Sequence, residues 1–200
     1  DFNAVKSCSF GLLLKLLEGE SKETITSDIP ILPKTDENIL FGNSLIDLTD
    51  NVKSTDVLAI NPFNIDLKFD VIVGNPPYMA TEHMKQLTPL ELPLYKKKYK
   101  SAFKQFDKYF LFVERSLQLL KDNGYLGYIL PSKFVKVGAG KNLRQLLVDS
   151  KSLCKLISFG ANQVFKNKTT YTCLLFLKKS QQTEFSFYEV KDFKKWLARD

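Results

Sequence analysis

Apolar residues that recur three or four positions apart predict helices along much of the chain. The pattern covers about residues 3–18, 107–122 and 138–149, and a short final helix holds Phe193, Trp196 and Leu197. The helix at 107–122 begins at Asp107, a favoured N-cap residue, and Asn123-Gly124 supplies a left-handed stop.

Short apolar runs that stop at glycine, asparagine or proline predict buried strands. The clearest is Phe69–Val73, which stops at Gly74-Asn75-Pro76-Pro77. Further strands are predicted at Ile39–Phe41 before Gly42-Asn43, at Tyr125–Leu130, at Leu156–Phe159, at Tyr171–Leu177 and, as an edge strand, at Phe185–Val190. Because strands alternate with helices, we expect one α/β domain over residues 1–200, with a mostly parallel sheet whose C-terminal strand is antiparallel.

The segment 79–105 has no clean periodicity and contains Pro89 and Pro93, so we expect a long loop with one short helix. Within it, the stretch Tyr95–Lys100 interleaves cations with aromatic rings. Such a stretch can neutralise phosphates while its rings pack on sugars or bases, which predicts a DNA-facing loop with Lys96, Lys97 and Lys98 as substrate contacts. A solvated, lysine-rich surface loop is the alternative.

The net charge of +7, from 29 basic and 22 acidic side chains, favours a polyanionic partner. The cysteines Cys8, Cys154 and Cys173 are far apart and lack metal-binding spacing, so neither a disulfide framework nor a metal site is expected. No apolar run approaches the roughly 18 residues of a membrane span, and no secretory signal opens the chain. We therefore expect a cytoplasmic protein.

The turn Asn75-Pro76-Pro77-Tyr78 carries the most specific chemistry in the chain. In open α/β sheets, ligands bind beyond the carboxyl ends of the strands, and this turn follows such an end. The Asn75 side-chain oxygen and the Pro76 carbonyl are acceptors that suit an amino group with two N–H donors, and Tyr78 offers a ring for stacking. This combination predicts a pocket for adenine N6 or a similar planar amide. The alternative is a rigid proline turn that serves stability alone.

The segment Phe69–Tyr78 resembles the catalytic motif of the N6-adenine DNA methyltransferases, in particular the methyltransferase portions of bifunctional (Type IIG-like) restriction–modification enzymes. The resemblance extends to Phe110–Leu120, Gly124–Pro131 and Pro131-Ser132-Lys133-Phe134, and to Val164-Phe165-Lys166 before Tyr171–Leu177. It implies a Rossmann-like class I methyltransferase sheet.

The same resemblance implies a site-specific enzyme that transfers a methyl group from S-adenosylmethionine to N6 of a flipped-out adenine in double-stranded DNA. Asn75 and Pro76 would accept hydrogen bonds from N6, and Tyr78 and Phe165 would hold the base, with Pro77 beside it. The Ile39–Ile46 segment resembles the one that contacts the cofactor's adenine, with Asn43 where aspartate is common. A turn-forming Asn43 after a strand is the alternative.

Two features of the family are not found in the sequence. No glycine-rich cofactor loop and no acidic ribose ligand precede the first helix, and Asp1-Phe2-Asn3-Ala4-Val5 resembles the sequence just after that acid. We therefore expect an N-terminally incomplete catalytic domain that binds S-adenosylmethionine poorly by itself. We also expect the target-recognition part of the parent protein to lie elsewhere.

Other functions remain open at this stage. The same turn can accept a glutamine amide of a translation factor or an adenine of RNA. A non-catalytic DNA-binding or assembly module with a degenerate methyltransferase fold is an alternative of another class. His83 invites the role of a general base, but we favour a loop residue near the DNA, because amino methylation can release its proton to solvent after transfer.

Overall fold

A five-stranded sheet forms the centre of the computed structural model, which describes residues 2–21, 34–35, 37–165 and 170–199. The strands are β1 Phe69–Gly74, β2 Leu120–Pro131, β3 Leu153–Ser158, β4 Thr172–Lys178 and β5 Ser186–Glu189. Their spatial order is β1-β2-β4-β3-β5.

The direction of the strands confirms a mostly parallel sheet with an antiparallel strand, although that strand is β4 and not the C-terminal β5. β1 pairs parallel with β2, and β3 pairs parallel with β5. β4 lies between β2 and β3 and is antiparallel to both, so four strands share one direction and β4 opposes them. β5 lies at an edge of the sheet, as predicted for Phe185–Val190. The carboxyl ends of β1, β2, β3 and β5 therefore meet along one side of the sheet.

Seven helices flank these strands within the described residues. They are α1 Phe2–Leu17, α2 Val57–Ile60, α3 Thr81–Leu87, α4 Glu91–Lys98, α5 Lys108–Leu119, α6 Lys141–Asp149 and α7 Phe193–Ala198. Short 3₁₀ turns lie at Ser54–Asp56, Ser132–Val135 and Gly138–Gly140. The helices predicted near 3–18, 107–122, 138–149 and 193–197 are confirmed, and no described helix is long and apolar enough to span a membrane.

The core lies on one face of the sheet, under α5 and α6. Alternate residues of β2 point into it (Leu126, Tyr128 and Leu130), together with apolar residues of both helices. On the opposite face, Val71, Val73 and Tyr125 are exposed within the described part of the chain. α5 packs against β2 from the core side of the sheet.

The predicted strand at Ile39–Phe41 is wrong. Leu40 is 55% exposed and Phe41 is 46% exposed, and Asn43 forms a single parallel bridge with Pro62. The Phe41 ring packs edge-on against Phe2 of α1, at 6.0 Å between centroids. Phe41 therefore contacts a ring of α1 instead of being buried in the sheet.

The long loop predicted over 79–105 is also wrong, because α3 and α4 occupy most of it. Pro93 is the third residue of α4, where its missing N–H costs no intrahelical hydrogen bond. Leu92 and Tyr95 are buried in the core, so α4 is held by packing rather than by a regular apolar stripe.

The predicted stop after α5 has a different role from the one expected. α5 ends at Leu119 and β2 starts at once, so Asn123, with φ of 64°, lies within the strand. A Cβ at Gly124 would meet the backbone oxygens of Asp70 and Phe69 at 3.0 Å. Gly124 therefore allows the backbone of β1 to approach β2 closely where the register shifts.

Candidate active site at the carboxyl edge of the sheet

The turn Asn75-Pro76-Pro77-Tyr78 leaves the carboxyl end of β1, as predicted. Asn75 is exposed, and none of the described residues hydrogen-bonds to its side chain. Pro76 is buried and Pro77 is exposed. Neither proline has a backbone N–H, so the turn presents acceptors without donors over two residues. The Asn75 amide is thus free to receive a ligand.

Hydrogen bonds connect the residues that follow this turn to the start of α5. The Lys108 backbone N–H donates to the Met79 carbonyl at 2.8 Å, and Ala80 forms an antiparallel bridge with Asp107. The Thr81 hydroxyl donates to the Phe106 carbonyl at 2.7 Å. These contacts hold the turn in place from the side of the helix.

Tyr78 is fixed in orientation by a hydrogen bond and a ring contact. Its hydroxyl donates to the Ile129 carbonyl of β2 at 3.0 Å, and its ring meets Tyr109 edge-on at 6.1 Å between centroids. Burial, with a smaller contribution from Cys173, raises the pKa of Tyr78 to about 12. The phenol therefore stays neutral at physiological pH, and its ring is held ready for stacking.

A cavity of about 940 Å³ opens beside the Tyr78 ring. It lies beyond the carboxyl ends of β2, β3 and β5, where open α/β sheets bind ligands. Its lining combines aromatic rings with charged side chains: Tyr78, His83, Asp107, Lys133, Tyr171 and Phe187. Rings and cations around one space suit a planar, anionic ligand such as a nucleotide.

An ion pair at this cavity joins two residues that sequence reasoning did not assign to the site. Lys133 Nζ lies 2.7 Å from Asp107 Oδ2. Asp107 occupies the N-cap position of α5, as predicted, but its carboxylate makes no capping hydrogen bond and pairs with Lys133 instead. Lys133 follows the end of β2 directly, and this position was the sequence signal that could have indicated a role in ligand binding.

Phe165 is half-buried, and it is not among the described residues that line this cavity. Residues 166–169 next to it, including Lys166, lie outside the described part of the chain. Contact between Phe165 and a flipped base stays a prediction.

Asn43 belongs to a buried polar network. Its amide nitrogen donates to Glu91 Oε1 at 3.0 Å and to the Tyr95 hydroxyl at 3.4 Å, and its oxygen accepts from the Leu45 N–H at 3.1 Å. Lys108 Nζ lies 2.9 Å from Glu91 Oε2, which also accepts from the Tyr95 hydroxyl at 2.6 Å. Both N–H donors of Asn43 are thus used within the protein, and one lone pair of its oxygen remains for a cofactor.

The lysine-rich stretch is only partly as predicted. Lys96 and Lys97 are exposed at the end of α4, but Lys98 Nζ lies 2.6 Å from Asp47 Oδ2 and also pairs with Asp50. Tyr95 and Tyr99 are buried in the core, so the expectation that their rings pack on bases is wrong. Phosphate contact by Lys96 and Lys97 stays a prediction, while the ammonium of Lys98 is already neutralised.

Comparison with known proteins identifies the chain's relatives. It is 71% identical over 201 residues to the type II restriction enzyme and methyltransferase RM.Eco57I of Escherichia coli, an alignment that covers 100% of the chain and 20% of that protein. It is 30% identical over 120 residues to the type II methyltransferase M.BstVI of Geobacillus stearothermophilus, covering 60% of the chain and 21% of M.BstVI. The chain thus spans about a fifth of the length of these relatives.

The fold also has a relative among solved structures. A Listeria monocytogenes protein assigned to the class I S-adenosylmethionine-dependent methyltransferases matches with a TM-score of 0.53 at 14% identity, over 68% of the chain and 42% of that protein. This likeness concerns the fold alone. A family model described as Eco57I restriction-modification methylase matches residues 1–165, more than four fifths of the chain. The chain belongs to the Eco57I restriction-modification methylase family.

Proposed function

We propose that the chain carries the target-base half of the active site of a site-specific DNA adenine methyltransferase in a restriction–modification system. The observation that carries the proposal is the exposed Asn75 amide at the end of β1, which has no hydrogen-bond partner among the described residues. Asn75 is not itself among the residues that line the cavity, but it stands three positions before Tyr78, whose fixed ring borders it. The substrate is N6 of an adenine flipped out of double-stranded DNA. Two relatives support methyl transfer within a restriction–modification system. RM.Eco57I is named a type II restriction enzyme and methyltransferase, and M.BstVI is named a type II methyltransferase.

The Asn75 turn supplies the chemistry at the target nitrogen. Asn75 Oδ1 and the Pro76 carbonyl accept the two N–H groups of N6, which directs the nitrogen lone pair away from both acceptors. S-adenosylmethionine supplies the methyl group. The hydrogen bonds from N6 to these acceptors strengthen as N6 gains positive charge. They therefore stabilise the transition state more than the bound adenine. The proton leaves to solvent after transfer, so His83 is not required as a base.

The described residues fit one part of the S-adenosylmethionine site. Asn75 would hold the nitrogen that receives the cofactor's methyl group, and Asn43 Oδ1, which accepts one hydrogen bond from the Leu45 N–H, would accept a second from the cofactor's amino group. The remainder of the cofactor site is assigned to no described residue. The natural full-length protein is therefore the form in which activity is to be measured.

A protein glutamine methyltransferase is the second candidate, because a primary amide also carries two N–H donors. Two observations favour a nucleic acid. The net charge is +7, and the cavity beside Tyr78 is lined by exposed aromatic rings together with two lysines, Lys133 and Lys136, and two acids, of which Asp107 is buried. A phosphodiester needs such cations, whereas a glutamine side chain does not.

Replacement of Tyr78 separates the roles of its ring and its hydroxyl. Tyr78→Phe keeps the ring and loses only the bond to Ile129, so we expect kcat/KM for DNA methylation to change by no more than about three-fold. Tyr78→Ala removes the stacking surface, and since base–aromatic stacking contributes about 1–3 kcal/mol we expect a loss of roughly 10- to 100-fold. Initial rates of tritiated methyl transfer to duplex DNA measure both effects.

The matched control is Tyr125→Ala, because Tyr125 is a half-exposed ring on the open face of the sheet. It should leave kcat/KM unchanged. Wild-type methylation by the Tyr78→Ala variant would show that the ring does not hold the base.

A further inference from the structure

The ion pair between Lys133 and Asp107 differs from the other ion pairs of the described residues. The Asp107 side chain is 9% exposed, whereas that of Lys133 is 51% exposed. In the pairs of Lys98, Lys108 and Arg115 both partners are largely buried, and in those of Lys15, Lys121 and Lys179 both are substantially exposed. A buried acid therefore holds a cation whose other side is open to the cavity.

The acid is anchored to the segment that follows the Asn75 turn. Asp107 forms the backbone bridge with Ala80, and the next N–H, that of Lys108, donates to the Met79 carbonyl. Its carboxylate is thus fixed relative to Tyr78. Because the Asp107 side chain is buried, it can direct Lys133 without offering a negative surface to an incoming polyanion.

The cation is anchored to the strand that orients the same ring. Lys133 lies in the 3₁₀ turn directly after β2, and Pro131 at the end of β2 accepts a hydrogen bond from the Tyr109 hydroxyl at 3.1 Å. Tyr78 donates to Ile129 of the same strand. An ammonium has three N–H donors, and the ion pair with the single Asp107 carboxylate leaves donors available for a ligand in the cavity.

We propose that Lys133 binds the phosphodiester beside the target nucleotide when its base lies against Tyr78, and that Asp107 is the residue that positions the ammonium. This inference rests on the proposed function. The charged residues that line the cavity are Asp107, Lys133, Lys136 and Glu189. The two lysines and two acids balance in formal charge, but the Asp107 carboxylate is buried, so at this position the Lys133 ammonium and not its acid faces a phosphate beside a planar base.

The test uses the natural full-length protein and a duplex that the wild-type protein methylates, with 2-aminopurine in place of the target adenine. Lys133→Gln still donates an N–H to Asp107, which preserves the fold, but it loses the charge. We expect affinity to fall roughly tenfold. The slope of log affinity against log salt should shrink by about one. The fluorescence increase that reports the flipped base should fall by about half or more, and Lys133→Arg should restore most of it.

Asp107→Asn distinguishes positioning from charge. It leaves the cation in place, so DNA affinity should not fall. The kcat on the same duplex with adenine at the target position, at saturating concentration, should drop because the ammonium is no longer directed. Melting temperature monitors folding of each variant. Lys121→Gln is the matched control, since Lys121 is equally exposed, at 51%, and pairs with Asp70 at 2.8 Å near the opposite end of β2. It should leave affinity, salt slope and fluorescence unchanged.

The outcomes separate the two proposals. If the wild-type protein methylates no DNA, the proposed function fails. If the wild-type protein methylates DNA while Lys133→Gln keeps the wild-type salt slope and fluorescence, or if Lys121→Gln alters them equally, the role of Lys133 is overturned.

Discussion

Asn75→Ala is expected to lower kcat/KM for methyl transfer to DNA by about 10²- to 10³-fold, the scale of removing one preorganised polar group that contacts the reacting atom. Asn75 is exposed and no described residue hydrogen-bonds to its side chain, so its loss should leave folding and DNA affinity unchanged. Single-turnover rates at saturating DNA measure the chemical step, and a filter-binding or anisotropy titration measures affinity. A loss confined to the rate places Asn75 at the reacting nitrogen.

Two further substitutions at this position test whether hydrogen-bond acceptance is the property that matters. Asn75→Leu matches the size of the side chain but has no acceptor, so it should be as inactive as Asn75→Ala. Asn75→Asp retains the acceptor oxygens and should keep a larger part of the activity than either. If Asn75→Leu were as active as wild type, the proposed mechanism would be wrong.

The second large effect is expected at Glu91, the centre of the buried polar network. Glu91→Leu removes the carboxylate that pairs with Lys108 and accepts from Asn43 and Tyr95. Removing one partner of a buried ion pair costs about 3 kcal/mol or more, because the other charge stays buried without compensation. Hydrogen exchange of amides in α4, followed by mass spectrometry in the natural full-length protein, should become at least about a hundredfold faster.

A compensating change tests the physical reason. Adding Lys108→Met to Glu91→Leu removes the orphaned ammonium, so protection of α4 should recover substantially. Asp70→Asn is the control, because it removes a solvent-exposed ion pair with Lys121 and should leave exchange in α4 unchanged. Wild-type exchange in the single Glu91→Leu variant would refute the structural role of this network.

The parts of the fold that the sequence predicts correctly depend on strong, local signals. β1 is a β-branched run that ends at a glycine and two prolines, and both its position and the turn after it follow from these residues. α5 and α6 have apolar faces that are buried in the structure. β4 was also expected as a strand, because apolar residues face both sides over Tyr171–Leu177. The antiparallel strand was expected at the C-terminal end of the sheet, but the C-terminal β5 is parallel to β3 and β4 is the antiparallel strand.

The failures share a different cause, namely tertiary contacts that local patterns do not encode. The apolar side chain of Phe41 suggested a strand, but in the structure it packs against a ring of α1 and does not enter the sheet. Tyr95 and Lys98 look like a nucleic-acid surface in sequence, yet Tyr95 is buried and Lys98 pairs with acids some 50 positions away. The Lys133–Asp107 pair is likewise formed across 26 positions by the meeting of β2 and α5, so no local spacing indicates it.

The most direct measurement is the identity of the methylated product. Duplex DNA as long as a bacteriophage genome contains many candidate recognition sequences. It is incubated with the natural full-length protein and tritiated S-adenosylmethionine. The DNA is then digested to nucleosides, which are separated by chromatography. The Asn75 turn predicts label in N6-methyldeoxyadenosine, and an initial rate of labelling about 10²- to 10³-fold lower with Asn75→Ala. Label in a methylated cytosine, or in a translation release factor but not in DNA, would contradict the assignment of this turn to adenine N6.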